Sequence, residues 1–179
     1  MDKHNIYDVT KLGFGLMRLP TQDGEVDHEH VCRMVDKYMD AGMNYFDTAY
    51  GYHSGKSEVA ARECLVKRYP RESFMLATKL PAWCMKDKDD RDRIFNEQLE
   101  RTGVDYFDYY LLHSLEDGNN YNTYEELDCF NWGMEKKREG KIIHFGFSFH
   151  GTPELLEKVL DKPLFFLYNE IGEEKWIIK

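Results

Sequence analysis

The chain has 179 residues, which suits one domain, and its 42% hydrophobic and 15% aromatic content supports a packed core rather than disorder. A formal net charge of -9 repels phosphate backbones and disfavours nucleic-acid partners. No apolar run reaches the ~18 residues of a membrane span, and the polar start MDKHNIYDV lacks the apolar stretch of a secretory signal, so the expected location is the cytoplasm.

Short apolar runs alternate with longer amphipathic stretches. Lys11–Leu16 reads as a first strand, and Val26–Asp40 as a helix with Val31, Met34, Val35 and Met39 at helical spacing, ended by Gly42. Met43–Asp47 is a second strand, and Ser57–Arg68 a helix with Val59, Ala60, Cys64 and Leu65 on one face. Phe74–Lys79 is a third strand and Asp89–Thr102 a charged helix. Tyr106–His113 is a fourth strand, and Asn122–Glu139 one long helix ended by Gly140. Lys141–Phe147 is a fifth strand, Thr152–Leu160 a short helix with Pro153 in its first turn, and Pro163–Tyr168 a sixth strand.

Gly15, Asp47, Lys79, His113 and Ser148 each fall at or just past the end of a strand, separated by 32, 32, 34 and 35 residues. That interval holds one strand, one helix and two loops. Such alternation predicts right-handed crossovers and a parallel sheet. No G-x-G-x-x-G opens a helix after the first strand, which argues against a dinucleotide-binding doubly wound sheet. The expected fold is therefore α/β of the (β/α)₈ TIM-barrel type, incomplete, with about six parallel strands in a single partial-barrel domain over 1–179.

Four cysteines, Cys32, Cys64, Cys84 and Cys129, lack any CxxC pair and read as reduced thiols rather than as a disulfide framework. His53, His144 and His150 show no metal-ligand spacing, so no metal is expected.

In a barrel, the strand ends converge on one pocket. Asp47, Lys79 and His113 close three successive strands, and two tyrosines, Tyr50 and Tyr52, follow Asp47 in its loop. A carboxylate favours the ammonium form of a nearby lysine, and the ammonium in turn stabilises a phenolate. A tyrosine tuned in this way can give its proton to a carbonyl oxygen as hydride reaches the carbon. His113 would hydrogen-bond the same oxygen. Each residue taken alone has an ordinary structural reading: a capping Asp, a solvated Lys, a satisfied His. Their joint placement at strand ends points to chemistry. Composition leaves the choice between Tyr50 and Tyr52 open.

The segments FDTAYGYHSGKSE (Phe46–Glu58), LATKLP (Leu76–Pro81), DYYLLH (Asp108–His113) and GKIIHFGFS (Gly140–Ser148) resemble the ordered motifs of the aldo-keto reductase family over Lys11–Leu160. Among its members the sequence looks most like a bacterial group that in full length carries a C-terminal iron–sulfur cysteine cluster, and these residues include no such cluster. The resemblance implies Asp47, Tyr52, Lys79 and His113 as the catalytic tetrad, since the acid tyrosine lies five residues past the aspartate. It also implies Gly15, Leu16, Met17, Asp47 and Ser148 beside NADPH or NADH, and Trp83 in the substrate pocket. The sequence departs from the family pattern at Phe149, where an asparagine is usual after Ser148, and at Phe165, where a glutamine precedes the Tyr168-Asn169 pair. The expected function is an NAD(P)H-dependent oxidoreductase reducing an aldehyde or ketone. The alternative is a catalytically inactive truncated barrel or half-barrel that acts only with another chain, its open wall also able to form a homo-oligomer.

Overall fold

The computed structural model describes residues 9–162, apart from residue 117, together with the backbone of Phe166–Tyr168. The elements in order are β1 (Gly13–Gly15), β2 (Thr21–Gln22), β3 (Glu25–Val26), α1 (His28–Asp40), β4 (Tyr45–Asp47), α2 (Lys56–Ala61), β5 (Met75–Pro81), α3 (Asp89–Thr102), β6 (Phe107–Leu115), α4 (Asn119–Glu126), α5 (Cys129–Arg138), β7 (Ile142–Phe149), α6 (Pro153–Leu160) and β8 (Phe166–Tyr168). Six strands form one sheet in the order β1-β4-β5-β6-β7-β8. Pairing is parallel, with Gly15 opposite Asp47 and Asp47 opposite Ala77 in register. The strand–helix alternation expected from the sequence is present.

The chain divides into two compact units, one holding the chain through Thr78 plus Asn96–Asp108, the other Lys79–Phe95 plus the chain from Tyr109 onward. In the first unit Phe46 is fully buried beneath Phe14, Tyr38 and Phe74, with ring centroids 5.4, 5.0 and 6.4 Å away. Helix α1 contributes Val31, Val35 and Tyr38 to this core, and Asp27 caps it by accepting from His30 N–H at 3.0 Å. In the second unit Phe95, Tyr110 and Trp132 meet edge to face, 5.1–6.0 Å apart. Helix α5 approaches β7 closely at Gly133, where a Cβ would fall 2.1 Å from the Phe145 ring.

Three elements differ from the sequence reading. The long helix expected over Asn122–Glu139 is two helices, α4 and α5, because Asp128 takes a left-handed φ of 56° between them. The helix expected over Ser57–Arg68 changes register after Ala61 into a π-helical turn over Arg62–Val66. A small antiparallel hairpin, β2–β3, turns at Asp23 and Gly24, whose φ values are 51° and 81°. The sixth strand is described over Phe166–Tyr168 only; Phe165 and Asn169, which bear on the family glutamine and Tyr-Asn positions, lie outside the described residues.

The cysteines are a correction. Cys32 and Cys64 form a disulfide, with Cα atoms 4.6 Å apart, while Cys84 and Cys129 are free. The physical reason lies in the repeat. Each bonded cysteine stands 17 residues past the strand end before it, Gly15 or Asp47, so they occupy equivalent positions on neighbouring helical segments. Burial pushes the Cys129 thiol up to about 12. Protein purified without reductant is expected to show one reactive thiol when native, Cys84, and two when unfolded. A count of four in unfolded, unreduced protein would refute the bond.

Candidate active site

Asp47 closes β4 with 7% of its surface exposed, and its carbonyl accepts from Leu16 N–H at 2.8 Å. That bond ties the residues after β1 to the end of β4. Leu16 is buried, Met17 is exposed, and the Leu16 carbonyl accepts from the Ser57 hydroxyl at 2.9 Å. Tyr52 follows in a tight 3₁₀ turn, Tyr52–Gly55, and is buried. The backbone there is unusual. His53, Ser54 and Gly55 have φ of 49°, 55° and 88°, three consecutive left-handed residues. For the two non-glycines this costs on the order of 1–3 kcal/mol each, so the surroundings must hold the turn in place. Nε2 of His53 helps by accepting from Leu19 N–H at 3.1 Å. All of these residues belong to the first unit.

Tyr50, the other tyrosine of this loop, is committed elsewhere. Its hydroxyl donates to Glu97 at 2.7 Å, and the Arg101 guanidinium lies 4.3 Å from its ring centroid.

In the second unit, Lys79 on β5 is fully buried, and His113 stands near the end of β6. The Tyr124 hydroxyl joins the two strand ends, lying 2.7 Å from the Leu80 carbonyl and 2.8 Å from the His113 carbonyl and accepting from Ala82 N–H at 3.1 Å. Burial raises the Tyr124 phenol well above its ordinary value, so it stays a neutral tether. His113 is pushed down to about 3, first by burial, then by electrostatic repulsion from the Lys79 and His150 side chains. Its imidazole is therefore neutral at physiological pH. The sign follows: the unfolded chain takes up a proton below about 6.5 and the folded chain does not. This histidine thus lowers stability progressively as pH falls from about 6.5 toward 3. A ¹⁵N-detected titration is expected to show His113 neutral throughout pH 5–8. A midpoint near 6.5 would contradict that environment.

Trp83 is 56% exposed, its ring centroid 5.0 Å from that of His113. It lines a cleft of about 430 Å³ with Met85, Asn120, Thr123 and Glu126. Ser148 is fully buried, and its hydroxyl accepts from Ser114 N–H at 2.7 Å. Among the described residues no group of three or more His, Cys, Asp or Glu side chains could hold a metal ion, and no helix is long and apolar enough to cross a membrane.

Sequence reasoning passed over Arg101, which touches the Tyr50–Gly55 loop, and Glu58 and Gln98 behind it. The available signal was Glu58 itself, a carboxylate one heptad before Leu65 on the buried helical face.

The model of the Aldo/keto reductase family matches residues 11–172, and the chain belongs to that family. It is 29% identical over 152 residues to the uncharacterized oxidoreductase YqkF of Bacillus subtilis, covering 79% of this chain and 45% of that protein. It is 28% identical over 155 residues to an aldo-keto reductase of Mycolicibacterium smegmatis, covering 86% of this chain and 50% of the relative. The holo form of an aldo-keto reductase from Bacillus halodurans superposes with a TM-score of 0.74 at 27% identity, covering 90% of this chain and 53% of that one. The fold is also that of an aldo-keto reductase from Klebsiella pneumoniae solved with NADPH, with a TM-score of 0.68 at 23% identity, over 89% of this chain and 53% of that one. The chain spans about half the length of the relatives it matches. Its parallel sheet and alternating helices are those of an incomplete (β/α)₈ barrel.

Proposed function

We propose that this chain serves the NAD(P)H-dependent reduction of an aldehyde or ketone, with Tyr52 as general acid assisted by Lys79, Asp47 and His113. The observation that carries the reading is Lys79, a lysine with no solvent exposure on the carboxyl-terminal half of β5. Burying an ammonium is costly, and folds rarely bear that cost without a use for the charge. The commitment of Tyr50 to Glu97 supports Tyr52 as the donor.

A bound nicotinamide would supply hydride to the carbonyl carbon. Tyr52 O–H would pass its proton to the carbonyl oxygen, so that C=O becomes CH–OH. The Lys79 ammonium would stabilise the phenolate left behind, and Asp47 would favour the charged lysine. Neutral His113 would donate a hydrogen bond to the substrate oxygen, and Trp83 would line its approach. The described residues suit the nicotinamide end. At Gly15, opposite Asp47 in register, no heavy atom lies within 4 Å of a Cβ position, leaving open space. The Ser148 hydroxyl, already accepting from Ser114, retains a proton to donate to an amide carbonyl. Leu16 and Met17, next to Gly15, would flank the ring.

The test is a titration of NADPH and NADH into the chain followed by nicotinamide fluorescence, with turnover of a panel of aldehydes. Saturable binding with turnover is expected. Neither binding nor turnover at millimolar cofactor would overturn the proposal.

A further inference from the structure

A polar cluster packs against the loop that carries Tyr52, and the proton transfer above does not use it. Arg101, on the last turn of α3, is its centre. One guanidinium nitrogen, Nη1, lies 3.4 Å from the Tyr50 carbonyl and 3.4 Å from Oε2 of Glu58. The other, Nη2, lies 3.3 Å from Oε2 of Glu97, which also accepts from the Tyr50 hydroxyl. The guanidinium plane covers the Tyr50 ring. Its opposite contact is Gly55, where a Cβ would come within 2.9 Å of Nη1. Glu58 is fully buried and accepts from Thr78 Oγ1 at 2.7 Å and Gln98 Nε2 at 2.9 Å.

Arg101 therefore touches both ends of the Tyr50–Gly55 segment. At one end it holds a ring and a carbonyl. At the other it fills the space a side chain would take. Between those points lie Tyr52 and the left-handed residues His53 and Ser54. A planar fork with five donors can hold a ring, a carbonyl and two carboxylates at once, and a lysine cannot. We infer that Arg101 is a positioning residue for Tyr52, clamping the loop so that the phenol is held in one setting. Gly55 leaves the guanidinium its room, and Glu58 fixes it from the buried side. The inference rests on the reading of Tyr52 as the acid.

The test has a readout that does not depend on activity. The full chain is prepared with 3-fluorotyrosine at position 52 and examined by ¹⁹F NMR, alongside Arg101→Met, Arg101→Lys and, as a control, the exposed Arg33→Met. One narrow fluorine line is expected in the parent and in the control. In Arg101→Met the line is expected to broaden or split, and in Arg101→Lys to shift part of the way. In steady state, Arg101→Met is expected to lower kcat by about 10- to 100-fold with KM within about twofold, the signature of a misplaced acid rather than lost binding. An unchanged line in folded Arg101→Met overturns the inference. If that variant does not fold, Arg101→Lys, which keeps a cation beside Glu58, decides the matter by the same criterion. A line that responds while Tyr52→Phe remains active refutes the acid assignment and leaves the clamp standing.

Discussion

Tyr52→Phe is expected to lower kcat for carbonyl reduction by about 10²–10⁴-fold, the usual contribution of a positioned general acid. The change removes one oxygen and keeps the ring, so the packing of the buried side chain is retained. KM should move little, because the proton is needed in the transition state more than in the bound ground state. Cofactor binding, followed by nicotinamide fluorescence, should be unaltered. Activity surviving within a few-fold would remove Tyr52 from the chemistry. It would not remove Lys79 or His113, since the burial of Lys79 and the lowered imidazole pKa that burial gives His113 do not depend on the acid assignment.

Asp108→Ala is expected to have the largest effect on stability. Asp108 is fully buried at the start of β6. Its Oδ2 accepts from Leu76 N–H at 2.7 Å and from Arg71 Nη2 at 2.5 Å. Removing the carboxylate strips a buried strand N–H of this partner and leaves Arg71 without its counterion. Loss of one partner from a buried pair typically costs 3–5 kcal/mol. The Arg71 side chain is 23% exposed and can turn to water, so about 3 kcal/mol is the better expectation. For a chain of this size that lowers Tm by roughly 6–12 °C. Asp108→Asn keeps an acceptor for Leu76 and should lose about half as much. Thermal unfolding followed by circular dichroism reads both. A Tm within 1–2 °C of the parent for Asp108→Ala would show that the pair contributes nothing net.

Much of this architecture was legible in the sequence. The recurring interval from Gly15 to Ser148 located the strand ends because each β/α unit needs a nearly fixed length of chain to return to the sheet. The hydrophobic spacing of α1 located that helix to within a few residues, and the charged stretch Asp89–Thr102 located α3. The hairpin was also legible and was passed over: Asp23-Gly24 is the dipeptide that a two-residue turn with two positive φ angles requires. The break between α4 and α5 was not legible. It contains neither Gly nor Pro, only Asp128, which tolerates the left-handed region without announcing it. Asp47, Lys79 and His113 were legible as polar side chains at strand ends, whereas only the family resemblance singled out Tyr52 from Tyr50 in the loop. The cluster around Arg101 was legible only in Glu58, a carboxylate on the buried face of its helix; Gln98 and Arg101 read as ordinary helix-surface residues until Glu58 and the Tyr50–Gly55 loop are placed beside them. The disulfide escaped for a related reason: a 32-residue gap carries no pairing signal until the repeat makes the two positions equivalent.

That disulfide closes a covalent ring from Cys32 to Cys64, and the ring encloses Asp47, Tyr52 and Glu58. A protease that cuts one peptide bond anywhere inside it would leave both ends tethered through sulfur. Nicked protein would run as a single species until reductant is added, then fall into two fragments. The segment bearing the proposed acid would thus survive a backbone cut that separates other parts of the chain.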